Sequence, residues 1–98
     1  MQKKYSKAEA LKLIRKLSKN GLILSGHVKQ RMVERNFQTR DVLQVIESGA
    51  IYSEPEIHSK TGRWTYKVEG KTLDGERLHV LIDIREEDNC IVILTGTT

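Results

Sequence analysis

Glu76-Arg77-Leu78-His79-Val80-Leu81-Ile82-Asp83-Ile84 changes character at every second residue. Leu78, Val80, Ile82 and Ile84 fall on one side of an extended chain, and Arg77, His79, Leu81 and Asp83 on the other. Alternation of this kind marks a strand with one face on a core. Downstream, residues 86–89 read as a polar turn. Cys90-Ile91-Val92-Ile93-Leu94 is then a nearly unbroken apolar run, suited to the middle of a sheet. Upstream, Asp74-Gly75 signals a tight turn. Residues 63–69 alternate again, with Trp64, Tyr66 and Val68 on one side, and Gly70 is expected to break or bend that strand. Residues 50–54 read as a further short strand closed by Pro55. A polar loop, 56–62, follows and contains His58 and Lys60.

Ahead of residue 50 the apolar period is helical. Ser6-Lys7-Ala8-Glu9 is a capping box, in which the serine and the glutamate satisfy each other's orphan amides. It predicts a helix to about Asn20, with Ala10, Leu11, Ile14 and Leu17 inward and Leu13 near the edge. Gly21 is expected to end it in a left-handed conformation. Leu22-Ile23-Leu24 reads as a short apolar link. Ser25 opens a second helix to about Asn36. Thr39 is expected to cap a third, with Asp41 in its electropositive first turn and Val42, Leu43, Val45 and Ile46 as its apolar positions. Ser48-Gly49 ends it.

Three helices followed by about four antiparallel strands define an α+β fold. The N-terminal helices pack on one face of a C-terminal antiparallel β-sheet. The 98 residues read as a single domain, 1–98. The uncovered sheet face carries Arg77 and His79. It also carries either Thr65 and Lys67 or Trp64 and Tyr66, depending on register.

Residues 1–40 hold eleven Lys and Arg against two acids, a local net of +9, while residues 41–98 hold six against eleven, a local net of −5. A one-sided basic surface attracts polyanions, so RNA or an acidic protein is the expected partner. No apolar run approaches the ~20 residues of a membrane span, so no membrane partner is expected. Met1-Gln2-Lys3-Lys4-Tyr5-Ser6-Lys7 is basic and lacks the apolar run of a secretory signal. The lone Cys90 reads as a small buried hydrophobe, and a reducing cytoplasmic setting is the default.

The second helix carries the densest chemistry. In Ser25-Gly26-His27-Val28-Lys29-Gln30-Arg31-Met32-Val33-Glu34-Arg35, Val28 and Met32 form an apolar stripe. His27, Arg31 and Arg35 recur every fourth residue along a ridge beside it. Guanidinium grips phosphate with paired donors, and imidazole exchanges protons near neutral pH.

Ser25-x-His27-x-x-x-Arg31-Met32-x-Glu34-Arg35, with Asp41-Val42 and Ser48-Gly49-Ala50-Ile51, resembles the signature of a widespread bacterial family recorded as a domain of unknown function. The helices-then-sheet order, the Lys-rich first helix, the Trp-containing strand and the apolar last strand are similar to the MqsR- and RelE-like mRNA-interferase toxins. That resemblance implies a RelE-like fold and an endoribonuclease toxin silenced by an antitoxin protein. The chain departs from those toxins at its end, Leu94-Thr95-Gly96-Thr97-Thr98, which has no Lys or Arg. His79 lies one residue out of step with their catalytic tyrosine.

Metal-independent RNA cleavage needs a base for the ribose 2′-hydroxyl, cations for the phosphorane and an acid for the leaving oxygen. His27 or His79 suits base or acid, with Arg31 as a catalytic clamp on the phosphate beside Arg35. Lys67 and Arg77 extend the phosphate path, and Tyr66 or Trp64 stacks a base. The competing structural readings are specific. His27 can bond a nearby backbone group. Arg31 and Arg35 can pair with Glu34, Asp41 or Glu47. His79 can be a satisfied core histidine. The functional rival is a non-catalytic RNA- or protein-binding module on the basic helical half, and a third reading is self-association of basic face on acidic face. Histidines at 27, 58 and 79 lack metal-ligand spacing. No glycine-rich phosphate loop exists, so neither metal nor other cofactor is expected.

Overall fold

The computed structural model describes residues 3–98; Met1 and Gln2, at the head of the basic N-terminal segment, lie outside the described residues. Helix α1 (Lys7–Ser18) is followed by strand β1 (Leu22–Leu24), α2 (Gly26–Arg35) and α3 (Thr39–Ser48). Strands β2 (Glu56–Ile57), β3 (Trp64–Lys71), β4 (Arg77–Arg85) and β5 (Cys90–Thr97) complete the chain, with a 3-10 turn at Glu86–Asp88. The architecture is α+β, with helices packed against a five-stranded sheet in the order β1-β5-β4-β3-β2.

The core lies between the helices and one sheet face. Ala10, Ile14 and Leu17 of α1, Val28 of α2 and Val42, Val45 and Ile46 of α3 are buried against Tyr66, Val68, Leu78, Val80, Ile82, Ile84, Ile91 and Ile93. Leu43, expected among the apolar positions of α3, is exposed instead. Arg15 of α1 ties the first and third helices together. Its Nε donates to the carbonyl of Ile46 at 2.8 Å and its Nη2 to that of Gly49 at 2.9 Å, satisfying carbonyls that the end of α3 leaves open.

The local signals act largely as their chemistry dictates. Ser6 and Glu9 form the capping box of α1, and those bonds, first from the Ser6 side chain, hold the Glu9 carboxyl below its ordinary pKa. Asp74-Gly75 forms the β3–β4 turn with Gly75 at φ 84°. Four expectations are corrected. Gly21 is not left-handed: a Cβ there would sit 2.8 Å from that of Cys90, so the glycine serves close approach to β5. The cap position of α3 is Gln38, whose amide donates to the Asp41 carboxylate at 2.9 Å, and Thr39 is already helical. Strand β3 runs through Gly70, where the missing side chain lets the backbone of Gly49 pass.

The fourth correction concerns the sheet. It is mixed, because Leu22–Leu24 is not a link but an edge strand parallel to β5. In place of a strand at 50–54, only Ala50 bridges, to Glu69, and pairing resumes at Glu56 opposite Thr65. Five residues on one side, 51–55, face three on the other, 66–68, so 51–55 bow away from β3.

Candidate functional site

Register settles which residues share the uncovered face. Lys67 pairs with Leu81, Glu69 with His79 and Thr65 with Asp83. Thr65 and Lys67 therefore accompany His79 and Arg77, while Tyr66 points into the core. Tyr66 is 1 % exposed, and its hydroxyl accepts the Tyr5 amide at 2.8 Å. Burial, chiefly, raises its pKa. Tyr66 is thus a packing residue, and the expectation that it stacks an RNA base is withdrawn. Trp64, on the same side, packs against the core with Lys4 Nζ 4.7 Å from its ring centroid.

Strand β5 carries the irregularity that brings α2 to this face. Leu81 pairs with Thr95 but Ile82 with Ile93, so Leu94 is an extra residue, a β-bulge. Ser25 grips that bulge. Its amide donates to Ile93 O at 3.0 Å and its hydroxyl to Leu94 O at 2.9 Å, while the same oxygen caps α2 by accepting the Val28 amide at 3.1 Å. His27, two residues on, is thereby fixed at the sheet edge.

Two adjoining clefts result. One, of about 260 Å³, is lined by Lys67, His79, Glu54, Glu56 and Thr97 among others. The second, of about 420 Å³, is lined by Ser25, His27, His58, Ser59, Lys60 and Leu94. Both are also walled by Leu81 and Thr95, so they are neighbouring parts of one groove across the open face. His27 and His79, 52 positions apart, belong to that groove. His79 is half-buried on the open face and is no member of the core.

Arg31 and Arg35 stand elsewhere. Neither is among the residues lining either cleft. Among the described residues neither forms an ion pair, so Glu34, Asp41 and Glu47 do not tie them up. Arg77 lies at the exposed start of β4, opposite Lys71.

The far end of the open face holds a charged cluster not anticipated from the sequence. Asp83, 1 % exposed, accepts from Arg63 Nε at 2.9 and 3.0 Å and from Arg85 Nε at 2.7 Å. Arg63 also donates to Ile84 O at 3.0 Å and to Glu87 at 3.2 Å. Asp83, chiefly through its hydrogen bonds, raises the guanidinium pKa of Arg63. The cluster pins the β2–β3 loop, and with it His58 and Lys60, over the sheet. The sequence placed His58 and Lys60 in a polar loop, and no spacing within the chain links them to His27.

Among the described residues no group of three or more His, Cys, Asp or Glu is placed to hold a metal ion, and no helix is long and apolar enough to cross a membrane. Over residues 24–95 the chain matches the family model described as a domain of unknown function, DUF4258, and it belongs to that family. The matched segment takes in both α2 and the strands that build the groove, and leaves out α1. Comparison with curated proteins and with solved structures finds no match.

Proposed function

We propose that this chain is a toxin-like endoribonuclease, similar to the MqsR- and RelE-like toxins, that cleaves RNA without a metal on the open face of its sheet. The observation that carries the reading is the groove itself. A capped helix, a bulged strand and a pinned loop bring His27, His58, His79, Lys60 and Lys67 onto one surface. In the reaction, His27 or His79 takes the ribose 2′-hydroxyl proton as O2′ bonds to phosphorus. The bond from phosphorus to the 5′-oxygen breaks, and the other imidazole protonates that oxygen. The products are a 2′,3′-cyclic phosphate and a 5′-hydroxyl. Lys67, on the adjoining arm of the groove, extends the phosphate path. Arg31, Arg35 and Arg77, outside the clefts, lead the RNA backbone toward them.

A cytoplasmic site of action and a silencing antitoxin belong to this reading. A protein partner is supported by a second surface, where Leu24, Met32, Val33 and Phe37 form an apolar groove beside Lys29 and Arg40 and Val33 is 84 % exposed. The rival, an RNA-binding module without cleavage, is favoured by the guanidiniums of Arg31 and Arg35, which lie off the clefts and form no ion pair among the described residues. Incubating the purified protein with RNA in EDTA separates the two. Fragments ending in 2′,3′-cyclic phosphate, lost in His27→Ala with folding intact, support the nuclease. Salt-sensitive binding that leaves the RNA whole supports the module.

A further inference from the structure

The two clefts differ in charge, and that difference says where the reacting phosphate sits. The Lys67–His79 cleft also has Glu54 and Glu56 in its wall. The His27–His58 cleft has Lys60 and two imidazoles and no carboxylate among its lining residues. Glu54 is paired with Lys7 at 3.3 Å, which leaves Glu56 to offset Lys67 in the first wall, so the second wall is the more attractive to a phosphodiester anion. The first turn of α2, which holds His27, adds the positive end of a helix dipole.

The β2–β3 loop holds the His58 ring in place. The His58 amide donates to Arg63 O and the Gly62 amide to His58 O, both at 2.9 Å, with Gly62 at φ 70°. The Lys60 amide donates to His58 Nδ1 at 3.3 Å. A ring whose Nδ1 accepts a hydrogen bond carries its proton on Nε2. With Nδ1 turned to the Lys60 amide, Nε2 is the ring nitrogen free to donate to a ligand.

We propose that the cleft between the first turn of α2 and the β2–β3 loop binds the phosphoester of a nucleotide, with His58 donating from Nε2 to a phosphoryl oxygen and Lys60 neutralising its charge. This rests on the RNA-cleavage reading for its mechanism, in which proton transfer stays with His27 and His79. His58 exchanges no proton and steadies charge as it accumulates on the phosphoryl oxygens.

The test uses the full chain and four proteins: wild type, His58→Ala, His58→Gln and Lys60→Ala, each checked for folding by circular dichroism. Uridine 3′-monophosphate is titrated against the wild type while the imidazole NMR signals are followed, and RNA cleavage is measured against pH. The monophosphate is expected to move the His27 and His58 signals, uridine alone to leave them in place, and Lys60→Ala to weaken binding. His58→Ala is expected to lower kcat by about 10²–10³-fold, as for loss of one oxyanion donor. Both limbs of its pH profile should persist, and His58→Gln, whose amide N–H stands near Nε2, should recover at least tenfold. A His58→Gln as inactive as His58→Ala, with one pH limb gone, would show that His58 transfers a proton and overturn its assigned role. Imidazole signals unmoved by about 10 mM monophosphate, a ceiling that spans even weak millimolar sites, would overturn the phosphate cleft. Wild-type protein that binds the monophosphate there but leaves RNA intact would uphold the cleft and overturn the nuclease reading.

Discussion

Arg63 and Asp83, twenty residues apart, are joined so that one guanidinium nitrogen serves both oxygens of a buried carboxylate, at 2.9 and 3.0 Å. The pair stands on the face that otherwise looks outward, at the root of the β2–β3 loop. It therefore links stability to the site, because the loop it anchors carries His58 and Lys60.

Removing Asp83 leaves Arg63 and Arg85 side by side without their shared acceptor. Asp83→Ala is expected to destabilise by about 2–4 kcal/mol, below the ~3–5 kcal/mol of a fully buried pair because both guanidiniums reach water. Urea unfolding measures it. A loss within about 0.5 kcal/mol, the range of ordinary surface changes, would show that the cluster contributes nothing.

Gly96 and Phe37 make a second test of packing. A Cβ at position 96 would lie 2.7 Å from Phe37 Cζ, under the helix-side core. Gly96→Ala is expected to cost about 1–3 kcal/mol as an overpacked site. Phe37→Leu in the same chain should relieve part of that, so the two changes are non-additive. Strict additivity in a double-mutant cycle would contradict the contact.

Alkaline pH should weaken the fold through two tyrosines. The Tyr5 hydroxyl donates to Glu86, and that bond, ahead of burial, pushes its pKa up to about 12 from 10.0. Tyr66 is raised as well, mainly by burial. The folded state therefore holds both phenolic protons more tightly than the unfolded state does. The stabilisation is complete below about pH 10 and is lost as pH rises through about 12. Tyr5→Phe should flatten that fall, which urea unfolding at pH 8 to 12 would follow. An unchanged slope would contradict the Tyr5–Glu86 linkage.

Arg31 and Arg35 are expected to contribute to RNA affinity and not to the chemical step. Replacing both with Gln should weaken binding across sequences. The slope of log affinity against log salt should fall by about 1 for each phosphate no longer neutralised. The cleavage rate at saturating RNA should hold. A collapse of that rate with affinity intact would return Arg31 to the role of catalytic clamp that its helical spacing from His27 suggests.

The fold class was legible because its signals are local. The capping box at Ser6 and Glu9, the Asp74-Gly75 turn and the period-two pattern of residues 76–84 each needed only a few neighbouring residues. What escaped was non-local. Three residues at 22–24 are too few to show a strand's period, and only pairing with β5 makes them one. Gly21 reads as a helix stop until Cys90 is seen against it. The site shows the same division. His27 and His79 stand out in the sequence as chemistry-bearing side chains on opposite sides of the period change. That the bulge at Leu94 and the Arg63–Asp83 pair bring them into one groove with His58 is tertiary information. Tyr66 reads as a stacking residue because alternation gives two faces without saying which is covered.

RNA cleavage by the purified wild-type chain in EDTA, set beside His27→Ala and His79→Ala of matched stability, bears most directly on the account. Fragments carrying 2′,3′-cyclic phosphate and 5′-hydroxyl ends, reduced about 10²–10⁴-fold by either substitution, are predicted. RNA left whole by the wild type, or cut equally well by both variants, would contradict it.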